Sequence, residues 1–223
     1  DIDRKIAVIF ATDLVGYSKH MEKDENATLL GLRECNKIIE PLIKKQKGRI
    51  FNTGGDSVFA EFPSAVAAVD TAVEFQKQIK ARNEKDKTDV KLEYRIGINM
   101  GDVVKEGDNL LGDGVNIAAR LEALAQPGGI TISKNVYDLV ANKTKYEFND
   151  LGTQKVKQNQ FHAYDLLLDR SQKRKLKTQS SNTKIIAMIG GAIAAVFIGL
   201  FFSGVFDTET KLDKDSTVSS LSI

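Results

Sequence analysis

The run Ala7-Val-Ile-Phe-Ala-Thr-Asp-Leu-Val-Gly-Tyr17 is apolar until it meets an acid, Asp13, and then a glycine, Gly16. A second run, Ile50-Phe-Asn-Thr-Gly-Gly-Asp-Ser-Val-Phe-Ala60, carries Asp56 directly after two glycines. Stretches this short and this rich in Val, Ile and Phe read as buried strands rather than helices. The chain must therefore build a core around strands whose ends carry carboxylates.

The rest of the pattern supplies the helices for such a sheet. Residues 5–11 form the first strand, and Glu25 to Lys47 is a helix with Leu29, Leu32, Ile39 and Ile43 on one side. Gly48 ends it. Strands at Arg49–Asn52 and Ser57–Phe62 flank the Gly54-Gly55 turn, and Pro63-Ser64 opens a helix from Ala65 to Arg82. Val90–Asn99 alternates as a strand, with Asp102–Lys105 as its hairpin partner. A helix over Val115–Ala125, a strand at Ile130–Ile132, a helix at Lys134–Ala141 and a closing strand at Phe161–Leu168 follow. This order suits an α+β fold with a ferredoxin-like βαββαβ core and its helices on one face.

Charge placement divides the chain further. Arg170 to Lys184 holds six basic residues and no acidic one, and Ile185 to Phe206 then runs 22 residues without a charge. At helical rise that is about 33 Å, enough to cross a bilayer. The expected organisation is a domain over 1–168, a basic juxtamembrane linker over 169–184, a transmembrane helix over 185–206 and a polar extracytoplasmic tail over 207–223. The basic run puts the domain on the cytoplasmic side and against anionic headgroups. Gly191, Ala195, Gly199 and Ser203 recur every fourth residue, a stripe that suits close helix crossing and is also ordinary for membrane helices. The N-terminus lacks signal-peptide form.

Composition excludes other chemistries. One cysteine, Cys35, permits no disulfide framework and no zinc spacing, and its helical position suits a small buried residue. His20 and His162 lie away from both acidic runs and read as structural. A net charge of +2 with both signs interspersed gives no nucleic-acid footprint.

Three pieces carry the chemistry. Asp13 followed by Gly16 leaves backbone free to curl around phosphate oxygens; a plain helix cap is the other reading. Asp56 sits where turn chemistry alone would explain it. A hairpin beside the first strand brings both acids to one rim, where carboxylates can gather divalent cations. In Gly112-Asp-Gly-Val-Asn-Ile-Ala-Ala-Arg-Leu121, Asn116 and Arg120 are one helical turn apart, an amide and a guanidinium placed to grip a phosphoryl group, unless the face is merely solvated.

At these residues the chain resembles the class III nucleotidyl cyclase catalytic domain, the adenylate/guanylate cyclase family, over roughly residues 4–168. The likeness is carried by Phe10-Ala-Thr-Asp-Leu-Val-Gly-Tyr17, Gly55-Asp-Ser-Val-Phe-Ala-Glu-Phe62, Arg95-Ile-Gly-Ile-Asn-Met-Gly101 and Gly112-Asp-Gly-Val-Asn-Ile-Ala-Ala-Arg120. The resemblance implies a head-to-tail homodimer with shared active sites. Asp13 and Asp56, helped by the Leu14 carbonyl, would hold two Mg²⁺ or Mn²⁺ ions. The partner would bring Asn116 to the ribose and Arg120 to the transferring group. Gly16, Tyr17 and Lys157 would meet the triphosphate, although Lys157 is equally a surface lysine.

The chain departs from the family where the base is read. Adenylate cyclases carry a lysine four residues before the second metal aspartate, where Asn52 stands. Seven residues before Asn116, where they carry Asp, Thr or Ser, this chain has Asn109. Both amides can still bond a base edge. The expected activity is conversion of ATP to 3′,5′-cyclic AMP in intracellular signalling, with a guanylate or pyrimidine cyclase and a weakly active nucleotide-binding pseudocyclase as alternatives. A diguanylate cyclase is disfavoured, because Ser57 follows Asp56 where that family wants an acid.

Overall fold

The computed structural model describes residues 2–86, 91–156 and 159–174. Lys157, most of the linker, the 185–206 helix and the 207–223 tail lie outside the described residues. Among the described residues, no helix is long and apolar enough to cross a membrane.

Strand β1, Arg4–Leu14, leads into a short helix α1, Tyr17–Lys23, and then α2, Glu25–Lys45. Strands β2, Arg49–Gly54, and β3, Ser57–Phe62, form a hairpin. Helix α3, Ala65–Lys85, precedes β4, Tyr94–Glu106, and the short β5, Asn109–Leu111. Helix α4, Asp113–Leu124, strand β6, Ile130–Ser133, and helix α5, Lys134–Val140, follow. The last strands are β7, Glu147–Val156, and β8, Asn159–Leu167, with a 3₁₀ turn at Arg170–Gln172.

The sheet order is β2-β3-β1-β4-β6-β8-β7, with β5 paired to β4 off this path. Its first four strands are antiparallel neighbours, which is the expected βαββαβ arrangement. The two faces of β1 sort by parity. Val8, Phe10 and Leu14 pack into the main core with residues of α2, α3 and α5. Ala7, Ile9 and Ala11 face the other way and meet Ala118 of α4. The expectation of helices on one face holds for α2 and α3 and fails for α4, which covers the opposite side.

Local chemistry explains where the helices begin. The Asp24 side chain accepts from the Ala27 N–H and starts α2 afresh, so the preceding α1, with no buried residue, leaves no apolar stripe to read. The Ser64 side chain accepts from Ala67 N–H and starts α3 where Pro63-Ser64 predicts it.

Two strand assignments change. The expected hairpin between Asn99 and Asp102 is absent; β4 runs straight through, and its return is β5, across Gly107 at φ +59°. Gly101 instead permits close approach, since a Cβ there would sit 3.3 Å from the Gly114 Cα at the start of α4. Strand β7 has no counterpart in the sequence expectation. It lies at the sheet edge beside β8 and carries charges, the usual guard of an edge and a poor apolar signal.

Candidate active site

Asp13 lies one residue from the end of β1, on the α4 side, directly opposite Arg95 of β4. The register brings the Arg95 Nη2 to 3.0 Å from Asp13 Oδ2. The Ser57 hydroxyl donates to Asp13 Oδ1 at 2.8 Å. Asp56 occupies the β2–β3 turn, where Gly55 takes φ +62°, a left-handed conformation that a side chain would strain. From that turn Asp56 Oδ2 accepts the Leu14 N–H at 3.1 Å. Both acids thus share one rim, as the sequence expects.

The rim is short of positive charge. Burial, a side-chain hydrogen bond with Asp13 and Asp13's own charge push Asp56 up to about 6. Glu122 of α4 lies behind, its Oε1 3.0 Å from Arg95 Nε, without hydrogen-bond geometry. Burial raises Glu122 to about 7; Arg95 pulls against this, and the charges of Asp13 and Asp56 add to the rise. Asp13 and Glu122 therefore flank one guanidinium, with Asp56 next to Asp13. Among the described residues no group of three or more His, Cys, Asp or Glu could hold a metal ion, so protein carboxylates alone do not complete a coordination shell. Two neighbouring carboxylates, both hard oxygen donors, are nevertheless the donor set that Mg²⁺ or Mn²⁺ prefers, with substrate oxygens and water as the remaining ligands.

Helix α4 sits close to this rim because of glycine. At Gly97, opposite Ala11, a Cβ would come within 2.2 Å of the Ala118 carbonyl oxygen and of the Glu122 nitrogen. The Asn99 side chain donates to the Gly114 carbonyl at 2.9 Å and ties down the helix start. On α4, Asn116 is exposed and Arg120 is half-buried, with Nη1 enclosed and unpartnered among the described residues. Neither forms a hydrogen bond or ion pair with Asp13 or Asp56 within the chain.

The remaining expected site residues divide. Asn52 and Asn109 meet, the Asn52 Nδ2 donating to Asn109 Oδ1 at 3.4 Å. The β2–β3 register slips between Ile50 and Asn52, and a bulge of this kind re-aims a side chain. Gly16 caps α1 at φ +68° and is exposed, while Tyr17 packs half-buried against the main core. His162 pairs with Asp150 at 2.6 Å, away from the acids, and Cys35 is fully buried.

Sequence reasoning missed Arg95, Glu122 and Ser57 as members of the rim. Arg95 sits in a quoted motif, but among the other charges of its strand it carried no signal of its own. Glu122 offered none beyond lying two residues from Arg120.

The chain matches the Adenylate and Guanylate cyclase catalytic domain family over residues 3–177. It is 43% identical over 157 residues to a Rhizobium meliloti protein named "Putative adenylate cyclase 3", covering 70% of this chain and 27% of that one. A crystal structure of an adenylate/guanylate cyclase/hydrolase from Silicibacter pomeroyi superposes with a TM-score of 0.70 at 37% identity, covering 76% of this chain and 100% of that one. The adenylyl cyclase CyaB from P. aeruginosa superposes with a TM-score of 0.66 at 26% identity, over 77% and 98% of the two chains. This chain spans a third or less of the length of the curated relatives it matches.

Proposed function

Since the chain belongs to the adenylate and guanylate cyclase catalytic domain family, we propose that it converts ATP to 3′,5′-cyclic AMP and pyrophosphate. The observation that carries this reading is the Asp13–Asp56 rim, where burial and the neighbouring Asp13 carboxylate leave Asp56 raised to about 6. Asp13 and Asp56, with the Leu14 carbonyl, would hold two Mg²⁺ or Mn²⁺ ions, whose chemistry there would be to acidify the ribose 3′-hydroxyl and offset the triphosphate charge. The 3′-oxygen attacks the α-phosphorus in line, and pyrophosphate leaves.

Asn116 orients the ribose and Arg120 stabilises the transferring phosphoryl group. Both come from a second copy of the chain in a head-to-tail homodimer. The support is that neither residue reaches the acids of its own chain, and that Arg120 Nη1 lacks a partner among the described residues. The exposed Gly16 and the half-buried Tyr17 beside it offer backbone to the triphosphate, and Lys157 is a further candidate to meet it.

Asn52 and Asn109 read the base. Their mutual bond leaves the Asn52 carbonyl oxygen as an acceptor and the Asn109 amide nitrogen as a donor. An adjacent acceptor and donor match the amino group and ring nitrogen of adenine, while a third polar group on guanine finds no counterpart. The same amide pair, turned over, supports a second reading as a cyclase of guanine or pyrimidine specificity. The charge-free run over 185–206, after its basic linker, is proposed to anchor the domain on the cytoplasmic face of a membrane, where its product would serve signalling.

The deciding experiment incubates the purified chain with each of the four nucleoside triphosphates and Mn²⁺, and identifies products by mass spectrometry. Cyclic AMP from ATP, in excess over other products, is the expected result. No cyclic product from any of the four would overturn the enzyme reading.

A further inference from the structure

We propose that Arg174 is a positioning residue of the active site, clamping the end of α4 to the segment by which the chain leaves the domain. The inference rests on the cyclase reading of Asn116 and Arg120, which α4 carries.

The last carbonyls of a helix have no partners within it, and a cation there offsets the negative end of the dipole. Helix α4 has no basic residue in its last turn, and Ala125 beyond it is extended. Arg174 supplies the missing group from far along the chain. Its Nη2 donates to the Leu124 carbonyl oxygen at 2.7 Å, across 50 positions of sequence.

The same guanidinium is held from behind. Its Nε donates to Asp165 Oδ2 at 2.7 Å and its Nη2 to Asp165 Oδ1 at 3.1 Å. Asp165 lies on β8, 6% exposed, and Oδ1 also accepts the Thr131 hydroxyl of β6 at 2.7 Å. A planar fork gripped on one side by a buried carboxylate fixes the direction of the second Nη2 N–H. That direction is the end of α4.

The segment around Arg174 is itself fastened. The Arg174 carbonyl oxygen accepts the Asn149 side-chain N–H of β7 at 2.7 Å. One turn earlier, Gln172 Oε1 accepts the Leu168 and Asp169 N–H groups, and Arg170 pairs with Glu147 at 2.7 Å. Helix α4 is consequently fixed at both ends, by Asn99 at Gly114 and by Arg174 at Leu124. Asn116 and Arg120 lie between the two.

The test compares full-length Arg174→Ala and Arg174→Lys with the parent chain by hydrogen exchange, urea unfolding and steady-state kinetics. In Arg174→Ala, the amides of residues 121–125 should exchange roughly tenfold faster while those of α2 and α3 hold their rates. Its kcat should fall on the order of tenfold with KM nearly unchanged, since a displaced helix misplaces groups used in the chemical step. Arg174→Lys keeps a charge beside Asp165 but has no fork to reach Leu124. It should recover the urea midpoint without recovering kcat, and it carries the comparison if Arg174→Ala does not fold. Unchanged exchange in α4, or a kcat that recovers together with the urea midpoint, would overturn the proposal. Exchange reads the clamp without turnover. Faster exchange in α4 from a chain that makes no product even unsubstituted would overturn the cyclase reading, and the catalytic part of the clamp with it.

Discussion

The side-chain amide of Asn52 donates to the side-chain oxygen of Asn109 at 3.4 Å, joining β2 to β5 over 57 positions of sequence. The Asn109 oxygen accepts the Leu110 N–H at 2.9 Å as well, which holds this amide in place. Two residues singled out separately, each for standing where a base-reading residue is expected, therefore act as one polar surface.

Replacing that surface should change substrate choice. Asn52→Lys with Asn109→Asp installs the cation and the acid that adenylate cyclases carry, and should raise the ATP-over-GTP ratio of kcat/KM by roughly tenfold or more. Competition assays with both nucleotides measure it. An unchanged ratio would mean that neither side chain faces the base.

The proposed metal ligands should be separable from the fold. Asp56→Asn removes a carboxylate that Asp13 repels, so its urea midpoint should equal or exceed that of the parent chain. Its turnover should fall by at least about a hundredfold, because the site loses charge needed to hold the cations. Stabilisation by Mn²⁺ in a thermal melt should disappear with it. Turnover that survives in the variant would remove the two-metal assignment.

Shared sites predict complementation. Asp56→Ala and Arg120→Ala each spoil both sites of a homodimer, but a mixed dimer pairs one intact acid rim with one intact α4. Mixing inactive variants should restore roughly a quarter of parental activity, from half the dimers having one site each. Continued inactivity of the mixture, with heterodimers present, would argue against a site built from two copies.

The crowded carboxylates set a pH dependence. Asp56 rises to about 6 and Glu122 to about 7 on folding, so the folded chain holds protons that the unfolded chain has already released. The stability these groups contribute is complete below their ordinary carboxylate values and is lost as pH climbs through the raised ones. Without metal, the urea midpoint should decline from about pH 4.5 to about pH 7.5, and Asp56→Asn should flatten the lower part of that decline. Mn²⁺ binding at the proposed site would need the ionised acids and should strengthen over the same interval. A flat profile in the parent chain would contradict the raised values of both acids.

Gly97 tests how tightly α4 must lie. A methyl group there meets helix backbone at 2.2 Å on two sides, and backbone cannot rotate away. Gly97→Ala should cost about 1–3 kcal/mol or more in urea unfolding, and should lower kcat by displacing Asn116 and Arg120. A variant of parental stability would mean that the helix rides higher on the sheet.

Much of this was legible before the fold was known. Strand β1, helices α2 and α3 and the β2–β3 hairpin follow from local apolar periodicity and from the cap at Ser64; α2 stops at Lys45, short of the Gly48 that the sequence offers as its end. Asp13 and Asp56 stood at strand ends in plain view, and the helix bearing Asn116 and Arg120 was found within two residues of its start. These features depend on neighbours in sequence, and a chain read alone contains that information. What only the tertiary structure decided are the pairings that cross the sheet. Arg95 faces Asp13 because of strand register, Asn52 meets Asn109 through a bulge, and α4 crosses to the opposite face because Gly97 leaves room. Arg174 reaches Leu124 because β8 carries Asp165 beneath it. A charge alone on a strand or at a chain exit has no local signature, since its partner is selected by packing that brings distant segments within a few ångströms.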